Sequence, residues 1–190
     1  MKIGLYFGSF NPVHHGHLII ASHVADQTLC QQVWLVITPQ NPLKAQKTLL
    51  NEAHRKHLID LAIEGDTRLK SSNVEFKLPK PSYTIDTLTH LKDLYPKHTF
   101  SVIMGSDAFS NIKKWKNWEV LVNSYDLLIY ERPGFPIDNN LLSDNVQKIQ
   151  APLLQISSTM IREMVKKDQP LRYFVPDIVA EEIKNQQYYK

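Results

Sequence analysis

Two histidines near the amino end of the chain lie in a segment whose residue types suit phosphate chemistry. His14 and His17 follow Gly8 and Pro12 in the sequence GSFNPVHHGH, directly after the apolar run 3–7. An imidazole N–H can donate a hydrogen bond to a phosphate oxygen, and the first turn of a helix adds amide donors and a positive dipole end. A strand, a glycine turn and a helix starting near the second histidine therefore predict an anion site at this joint.

The same segment also allows a metal-binding interpretation. His14, His15 and His17 are potential zinc ligands. Structural zinc sites usually add cysteines or a second histidine pair at matching spacing, and the sequence has neither pattern. Zinc binding is therefore the weaker alternative, and we predict no resident metal ion.

A second cluster with the same chemistry lies far along the chain, in the sequence ISSTMIR. Ser157, Ser158 and Thr159 stand at the start of a predicted helix, where hydroxyl groups commonly cap free amides. The same hydroxyls and amides can also surround a phosphate group, with Arg162 one turn later as a forked donor. Capping and phosphate binding are both open interpretations of this segment.

Composition excludes several classes of protein. The chain has 190 residues with 43% hydrophobic content, enough for a buried core, and we predict one domain over 1–190. A formal charge of +3 gives no general reason to expect a nucleic-acid or membrane partner. Cys30 is the only cysteine, and no stretch resembles a signal peptide or a membrane span. We therefore expect a soluble cytoplasmic protein; the sequence leaves open whether it forms a homo-oligomer.

Apolar runs alternate with helical periodicity, which predicts a parallel sheet covered by helices on both faces. The predicted strands are 3–7, 33–38, 74–78, 99–104, 125–130 and 153–156, and the predicted helices begin near 16 and cover 51–63, 82–94, 115–122, 138–150, 158–167 and 176–187. In such folds the ligand binds where the carboxyl ends of the strands meet. The loops that follow the strands should therefore form one site.

The two clusters together resemble the signatures of the nucleotidylyltransferase superfamily. The first is similar to its glycine-rich turn followed by His-x-Gly-His, and the second matches its Ser-Ser-Thr-x-x-Arg motif. Phe7 stands where many members have glycine, and Asn11 stands where aspartate is usual. The resemblance implies a Rossmann-like α/β fold. It also implies catalytic roles for His14, His17 and Arg162, and an ATP-binding set of Gly8, Ser9, Phe10, Gly105, Asp107, Ser157, Ser158 and Thr159.

The segment from Gly105 to Trp115 resembles nicotinate-nucleotide adenylyltransferases within that superfamily. An indole face suits stacking on a flat heteroaromatic ring, although a tryptophan in such a segment can equally be a packed residue. The resemblance implies that Trp115 stacks on the pyridine ring and that the amides of Lys116 and Thr84 hold the ring carboxylate.

The remaining substrate contacts are also implied by this resemblance. Asp107 would accept a hydrogen bond from a ribose hydroxyl, and Arg132 would lie near the mononucleotide phosphate. Asn41 and Lys44 belong to a loop that would close over the phosphates, with Arg55 reaching in from the next helix. A loop lysine is otherwise most often a solvated side chain.

The reaction implied is transfer of the adenylyl group of ATP to nicotinate mononucleotide, which gives nicotinate adenine dinucleotide and pyrophosphate. Mg²⁺ would arrive with the ATP phosphates. Nicotinamide mononucleotide and phosphopantetheine are alternative acceptors. A nucleotide sensor without catalytic activity is an alternative of another class, and a histidine variant that still binds ATP but has no turnover would exclude it.

Overall fold

A computed structural model describes residues 1–40 and 49–190 and contains one six-stranded sheet. Its strands, all parallel, are β1 (Lys2–Gly8), β2 (Gln32–Ile37), β3 (Leu69–Ser72), β4 (Thr99–Gly105), β5 (Asp126–Tyr130) and β6 (Val146–Ile149). They are ordered β3-β2-β1-β4-β5-β6 across the sheet. This order, with helices on both faces, confirms the Rossmann-like α/β fold.

Helices cover both faces of the sheet. They are α1 (His15–Gln27), α2 (Glu52–Ala62), α3 (Thr84–Leu94), α4 (Ser106–Phe109), α5 (Trp118–Ser124), α6 (Ser158–Lys166) and α7 (Asp177–Asn185). Helices α1, α2, α6 and α7 enclose one apolar core, whereas α3, α4 and α5 enclose the other. The central strands are buried on both sides, which is why their sequences are continuous apolar runs instead of alternating patterns.

Three predicted elements are wrong. The predicted strand 74–78 is a 3-10 turn, Val74–Lys77, and the sheet instead uses β3, which ends just before it. The predicted helix 138–150 contains the 3-10 turn Asn139–Leu141 and the edge strand β6. The predicted strand 153–156 lies outside any strand, and its leucines are exposed. The other predicted elements are present with ends shifted by a few residues, as in α5, which begins at Trp118.

The sheet reverses its order of strands between β1 and β4. Helix α1 leaves β1 toward β2 on one side, and the chain later returns through β4 on the other side. A crevice forms between neighbouring strands whose connections leave in opposite directions, at their carboxyl ends. The fold therefore places the loop after β1 and the loop after β4 around one crevice.

Within the described residues, no helix is long and apolar enough to cross a membrane.

Candidate active site

A cavity of about 920 Å³ occupies this crevice. It is lined by fifteen of the residues that the sequence nominated: Gly8, Ser9, Phe10, His14, His17, Thr84, Gly105, Asp107, Trp115, Lys116, Arg132, Ser157, Ser158, Thr159 and Arg162. Asn41 and Lys44 lie outside the described residues. Arg55 is buried below the cavity and does not line it.

The rings of His14 and His17 are stacked at the start of α1. Their centroids are 3.7 Å apart and their planes are inclined by 23°. A Cβ atom at Gly16 would lie 3.1 Å from two atoms of the His14 ring, so the glycine between the histidines leaves room for the stack. Stacked rings do not converge their nitrogens on one ion, and the described residues contain no cluster of three or more histidine, cysteine or carboxylate side chains suited to a metal. The arrangement favours hydrogen-bond donation over zinc binding.

Aromatic rings fix the position of His17. Its ring meets the edges of the Phe10 and Tyr6 rings, with centroid separations of 4.9 and 6.0 Å. Phe10 has a φ of 44°, and its ring closes so tightly on Gly8 that a Cβ there would lie 2.9 Å from it. Glycine at position 8 therefore leaves room for the Phe10 ring, which in turn packs against His17.

His14 is almost completely buried, with 5% of its surface exposed. Burial, followed by the positive charges of Arg132 and His15, lowers the pKa of His14 to about 4. Its Nδ1 atom has no hydrogen-bond partner among the described residues. His14 is therefore a neutral imidazole at physiological pH and can donate a hydrogen bond from only one ring nitrogen at a time.

The burial of His14 predicts that the protein loses stability in acid. His14 binds a proton more tightly in the unfolded chain than in the folded one. The free energy of unfolding should therefore be greatest above about pH 6.5 and should fall by roughly 3 kcal/mol as the pH falls toward about 4. Urea unfolding at several pH values should show this loss in the wild type but not in His14→Phe, with His23→Phe as the control. Parallel losses in the wild type and in His14→Phe would contradict the assignment.

The two sequence motifs are joined by hydrogen bonds. The Ser158 hydroxyl donates to the carbonyl oxygen of Pro12 at 2.9 Å, although the residues are 146 positions apart. Arg162 donates from Nη1 to the carbonyl oxygen of Asn11 at 2.8 Å and from Nη2 to the Thr159 hydroxyl at 3.2 Å. These bonds hold the start of α6 and the guanidinium of Arg162 against the histidine loop.

Ser157 has the capping role that the sequence left open. It is the residue before α6, and its hydroxyl accepts a hydrogen bond from the amide of Met160 at 3.2 Å. The amides of the first residues of a helix have no partner within the helix, so those of Ser158 and Thr159 are available to a ligand. The start of α6 therefore presents amides, a hydroxyl and a guanidinium to the cavity.

Arg55 lies where the sequence did not place it. Its guanidinium donates to the carbonyl oxygens of Ser9 and Thr38, and its Nε donates to that of Leu50 at 2.9 Å. The residue is fully buried, and this burial lowers the pKa of its guanidinium. In this geometry Arg55 supports the loop after β1 from below, and its predicted contact with substrate would require it to leave three carbonyl groups.

Asn11 supports the same loop from another side. Its side-chain oxygen accepts a hydrogen bond from the amide of Leu50 at 3.1 Å, which connects the histidine loop to the residues before α2. An aspartate could accept the same bond, so the asparagine found here keeps this contact without the charge.

Two tyrosines that were not predicted from the sequence form part of the cavity wall. The hydroxyls of Tyr6 and Tyr130 lie 3.1 Å apart, and Arg132 donates to Tyr130 at 3.3 Å. Burial, and then the neighbouring Tyr130, raises the pKa of Tyr6, so the Tyr6 hydroxyl stays protonated. Asp107 lies 3.5 Å from Nε of Arg132 and completes a polar chain across the carboxyl ends of β1, β4 and β5.

The opposite end of the cavity is lined by Thr84, Trp115 and Lys116. Thr84 is the first residue of α3, so its amide has no partner within the helix. Trp115 is partly buried against the core beside α3 and α5. The Lys116 ammonium donates to both carboxylate oxygens of Asp86, at 2.9 and 2.8 Å, which joins the tryptophan segment to α3. This end combines an indole face with a helix amide, which suits a flat ring that carries an anionic group.

Comparison with known proteins agrees with this geometry. Residues 5–164 match the model of the cytidylyltransferase-like family, so the chain belongs to that class of protein. The fold is also that of a Plasmodium falciparum nicotinic acid mononucleotide adenylyltransferase solved with NaAD. That structure has a TM-score of 0.84 and 24% identity, over 99% of this chain and 97% of the other.

Curated relatives narrow the class. A probable nicotinate-nucleotide adenylyltransferase of Flavobacterium psychrophilum is 46% identical over the whole length of both chains. A relative of the same name from Cytophaga hutchinsonii is 46% identical over 100% of this chain and 98% of its own. The chain belongs to the nicotinate-nucleotide adenylyltransferase family, which confirms the resemblance seen in the sequence.

Proposed function

We propose that this protein transfers the adenylyl group of ATP to the phosphate of nicotinate mononucleotide, which yields nicotinate adenine dinucleotide and pyrophosphate for NAD biosynthesis. The observation that carries the proposal is the division of one cavity into two chemically different ends. The histidine stack and the start of α6 suit a polyphosphate, whereas Trp115 and the Thr84 amide suit an acidic aromatic ring.

The reaction needs positioning more than proton transfer. The attacking group is a phosphate oxygen that is already an anion, so no general base is required. Two polyanions must be held in line, and fixing them in this way can contribute about 7 to 11 kcal/mol. The hydrogen bonds from Ser158 to Pro12 and from Arg162 to Asn11 support this role, because they hold donors from distant segments in one arrangement.

Each end of the reacting system has donors for its negative charge. His14 and His17 donate to the phosphates, with His17 placed for the α-phosphate, and Ser158, Thr159 and Arg162 hold the β- and γ-phosphates. Arg132 lies across the cavity and holds the phosphate of the mononucleotide. Mg²⁺ would enter as a component of the ATP substrate, where it would neutralise part of the charge of the phosphates. The substrates are metabolites of the cytoplasm, where we place the enzyme.

The test is pyrophosphate release from MgATP with three acceptors: nicotinate mononucleotide, nicotinamide mononucleotide and phosphopantetheine. We expect strong preference for the nicotinate acceptor. Trp115→Ala should raise the KM for that acceptor by about tenfold or more, since stacking on an aromatic ring contributes roughly 1 to 3 kcal/mol. Trp118→Phe is the matched control, because Trp118 lies outside the cavity lining.

Each other outcome of this panel points to a different function. Preference for the nicotinamide acceptor would be consistent with adenylyl transfer but would overturn the assignment of Thr84, Trp115 and Lys116 as the site of the acidic ring. Preference for phosphopantetheine would overturn that assignment as well. Binding of ATP without pyrophosphate release from any acceptor would favour a nucleotide sensor.

A further inference from the structure

Glu75 is a buried carboxyl group in the wall of the active-site cavity, and the mechanism above does not use it. It lies in the 3-10 turn after β3 and is 1% exposed. Its Oε1 accepts a hydrogen bond from the Thr87 hydroxyl at 2.8 Å. Its Oε2 is buried and makes no hydrogen bond of ordinary geometry with the described residues. Buried polar atoms without a hydrogen-bond partner are uncommon in folded proteins, which suggests a role for this carboxyl group.

The surroundings of Glu75 contain hydroxyls in place of cations. Burial raises the pKa of its carboxyl group, and the hydroxyls of Thr87, Thr38 and Ser82 only partly oppose this rise. No charged side chain in the described part of the chain contributes to the shift. A buried carboxyl group without a cationic partner keeps its proton to a higher pH than an exposed one.

The titratable side chains on the elements packed against Glu75 are exposed or partly exposed. Lys77, in the same turn, is exposed, and Asp86 of α3 is exposed and paired with Lys116. His90, the other titratable group on the following turn of α3, is partly exposed. The strand β2 contributes only uncharged side chains, QVWLVI.

The Thr87 hydroxyl connects Glu75 to the end of the cavity that is lined by Thr84, Trp115 and Lys116. The Thr87 hydroxyl that donates to Glu75 also lies 3.3 Å from the carbonyl oxygen of Tyr83. That carbonyl belongs to the Tyr83–Thr84 peptide, whose amide nitrogen is the Thr84 donor at the start of α3. Ser82, which faces the carboxyl group, immediately precedes this peptide. A change in the position or the charge of Glu75 should therefore affect the part of the cavity where the ring carboxylate is proposed to bind.

We propose that Glu75 is a specificity-determining residue that makes the preference for an acidic pyridine ring depend on its own protonation. As a neutral acid it steadies the Tyr83–Thr84 peptide without opposing a negative ligand; as an anion it repels the ring carboxylate. The inference rests on the proposed function, because it assumes that a nicotinate ring occupies this end of the cavity. The carboxamide group of nicotinamide mononucleotide carries no charge, so an anionic Glu75 does not repel it.

The quantity to measure is the ratio of kcat/KM for nicotinate mononucleotide to that for nicotinamide mononucleotide, from about pH 5.5 to about pH 9. Titration of the histidines or of the substrate phosphates affects both acceptors, so it cancels in the ratio. We expect the wild-type ratio to fall by at least about fivefold with rising pH, through a higher KM for the nicotinate acceptor.

Two variants and a control identify the group responsible. Glu75→Gln keeps the size of the side chain and its acceptor for Thr87 but has no proton to lose, so its ratio should stay constant within about twofold. Glu64→Gln, at an exposed position, should behave like the wild type. Thr87→Val removes a hydrogen bond that favours the anion, so the fall in the ratio should move to higher pH.

The outcomes separate this inference from the proposed function. A constant ratio in the wild type, or an equal fall in Glu75→Gln, would overturn the role of Glu75. If Glu75→Gln does not fold, the wild-type ratio and the direction of the shift in Thr87→Val still decide the question. No turnover of the nicotinate acceptor at any pH would instead reject the proposed function.

Discussion

Replacing His17 with alanine should lower kcat for adenylyl transfer by a factor of about 10² to 10³ while ATP binding changes by less than about threefold. Removing one preorganised donor from developing charge typically costs roughly 3 to 4 kcal/mol in the transition state. The ring of His17 is held by His14, Phe10 and Tyr6 before any substrate binds, so its donor needs no reorganisation during the reaction. Rapid-quench measurement of a single turnover would report this loss directly.

Two further variants separate donation from packing at His17. His17→Phe keeps an aromatic ring in the stack and has no donor, so it should be as slow as His17→Ala. His15→Ala changes a neighbouring histidine that does not line the cavity and should keep nearly full activity. Near wild-type activity in His17→Phe would show that the ring acts by packing and would contradict the assigned role.

The residues that the sequence predicts for the site could be picked out because their motifs are short and continuous. The segments containing His14, Ser158 and Trp115 each follow a strand or begin a helix, and the switch in strand order brings them to one crevice. A local pattern that lies in a loop after a central strand needs no knowledge of distant packing to be placed.

The contacts that depend on the order of the strands could not be predicted in the same way. Tyr6 and Tyr130 meet across β4, so their pairing follows from the order β1-β4-β5, which periodicity does not reveal. A tyrosine at the carboxyl end of an apolar strand was the available signal. Glu75 was hidden for a related reason, because it was assigned to a strand although it belongs to a 3-10 turn.

Edge elements failed for a different physical reason. Strand β6 lies at the edge of the sheet, next to β5, and within it the first and last residues, Val146 and Ile149, are buried. Two apolar residues separated by two polar ones have the spacing of one helix face, whereas in a strand they lie on opposite faces, so the pattern predicted a helix. Leu153 and Leu154 have the composition of a strand but are 39% and 46% exposed, since β6 is the edge strand of the sheet that residues 1–40 and 49–190 form.

Arg55 provides the second large effect, on stability. In Arg55→Met the carbonyl groups of Ser9, Thr38 and Leu50 lose their buried donor, and each unsatisfied group costs about 1 to 3 kcal/mol. We expect the free energy of unfolding in urea to fall by roughly 3 kcal/mol or more. Lys56→Met, at the next position, should change it by less than about 1 kcal/mol, because its ion pair with Asp60 is exposed.

A third variant distinguishes the charge of Arg55 from its shape. Arg55→Lys keeps a cation but has one donor nitrogen in place of three, so it should recover only part of the lost stability. The loop after β1 should loosen in both Arg55 variants and lower kcat together with stability, because Arg55 donates to Ser9 at the edge of the cavity. An Arg55→Met protein as stable as the wild type but with weakened acceptor binding would instead restore the direct substrate contact predicted from the sequence.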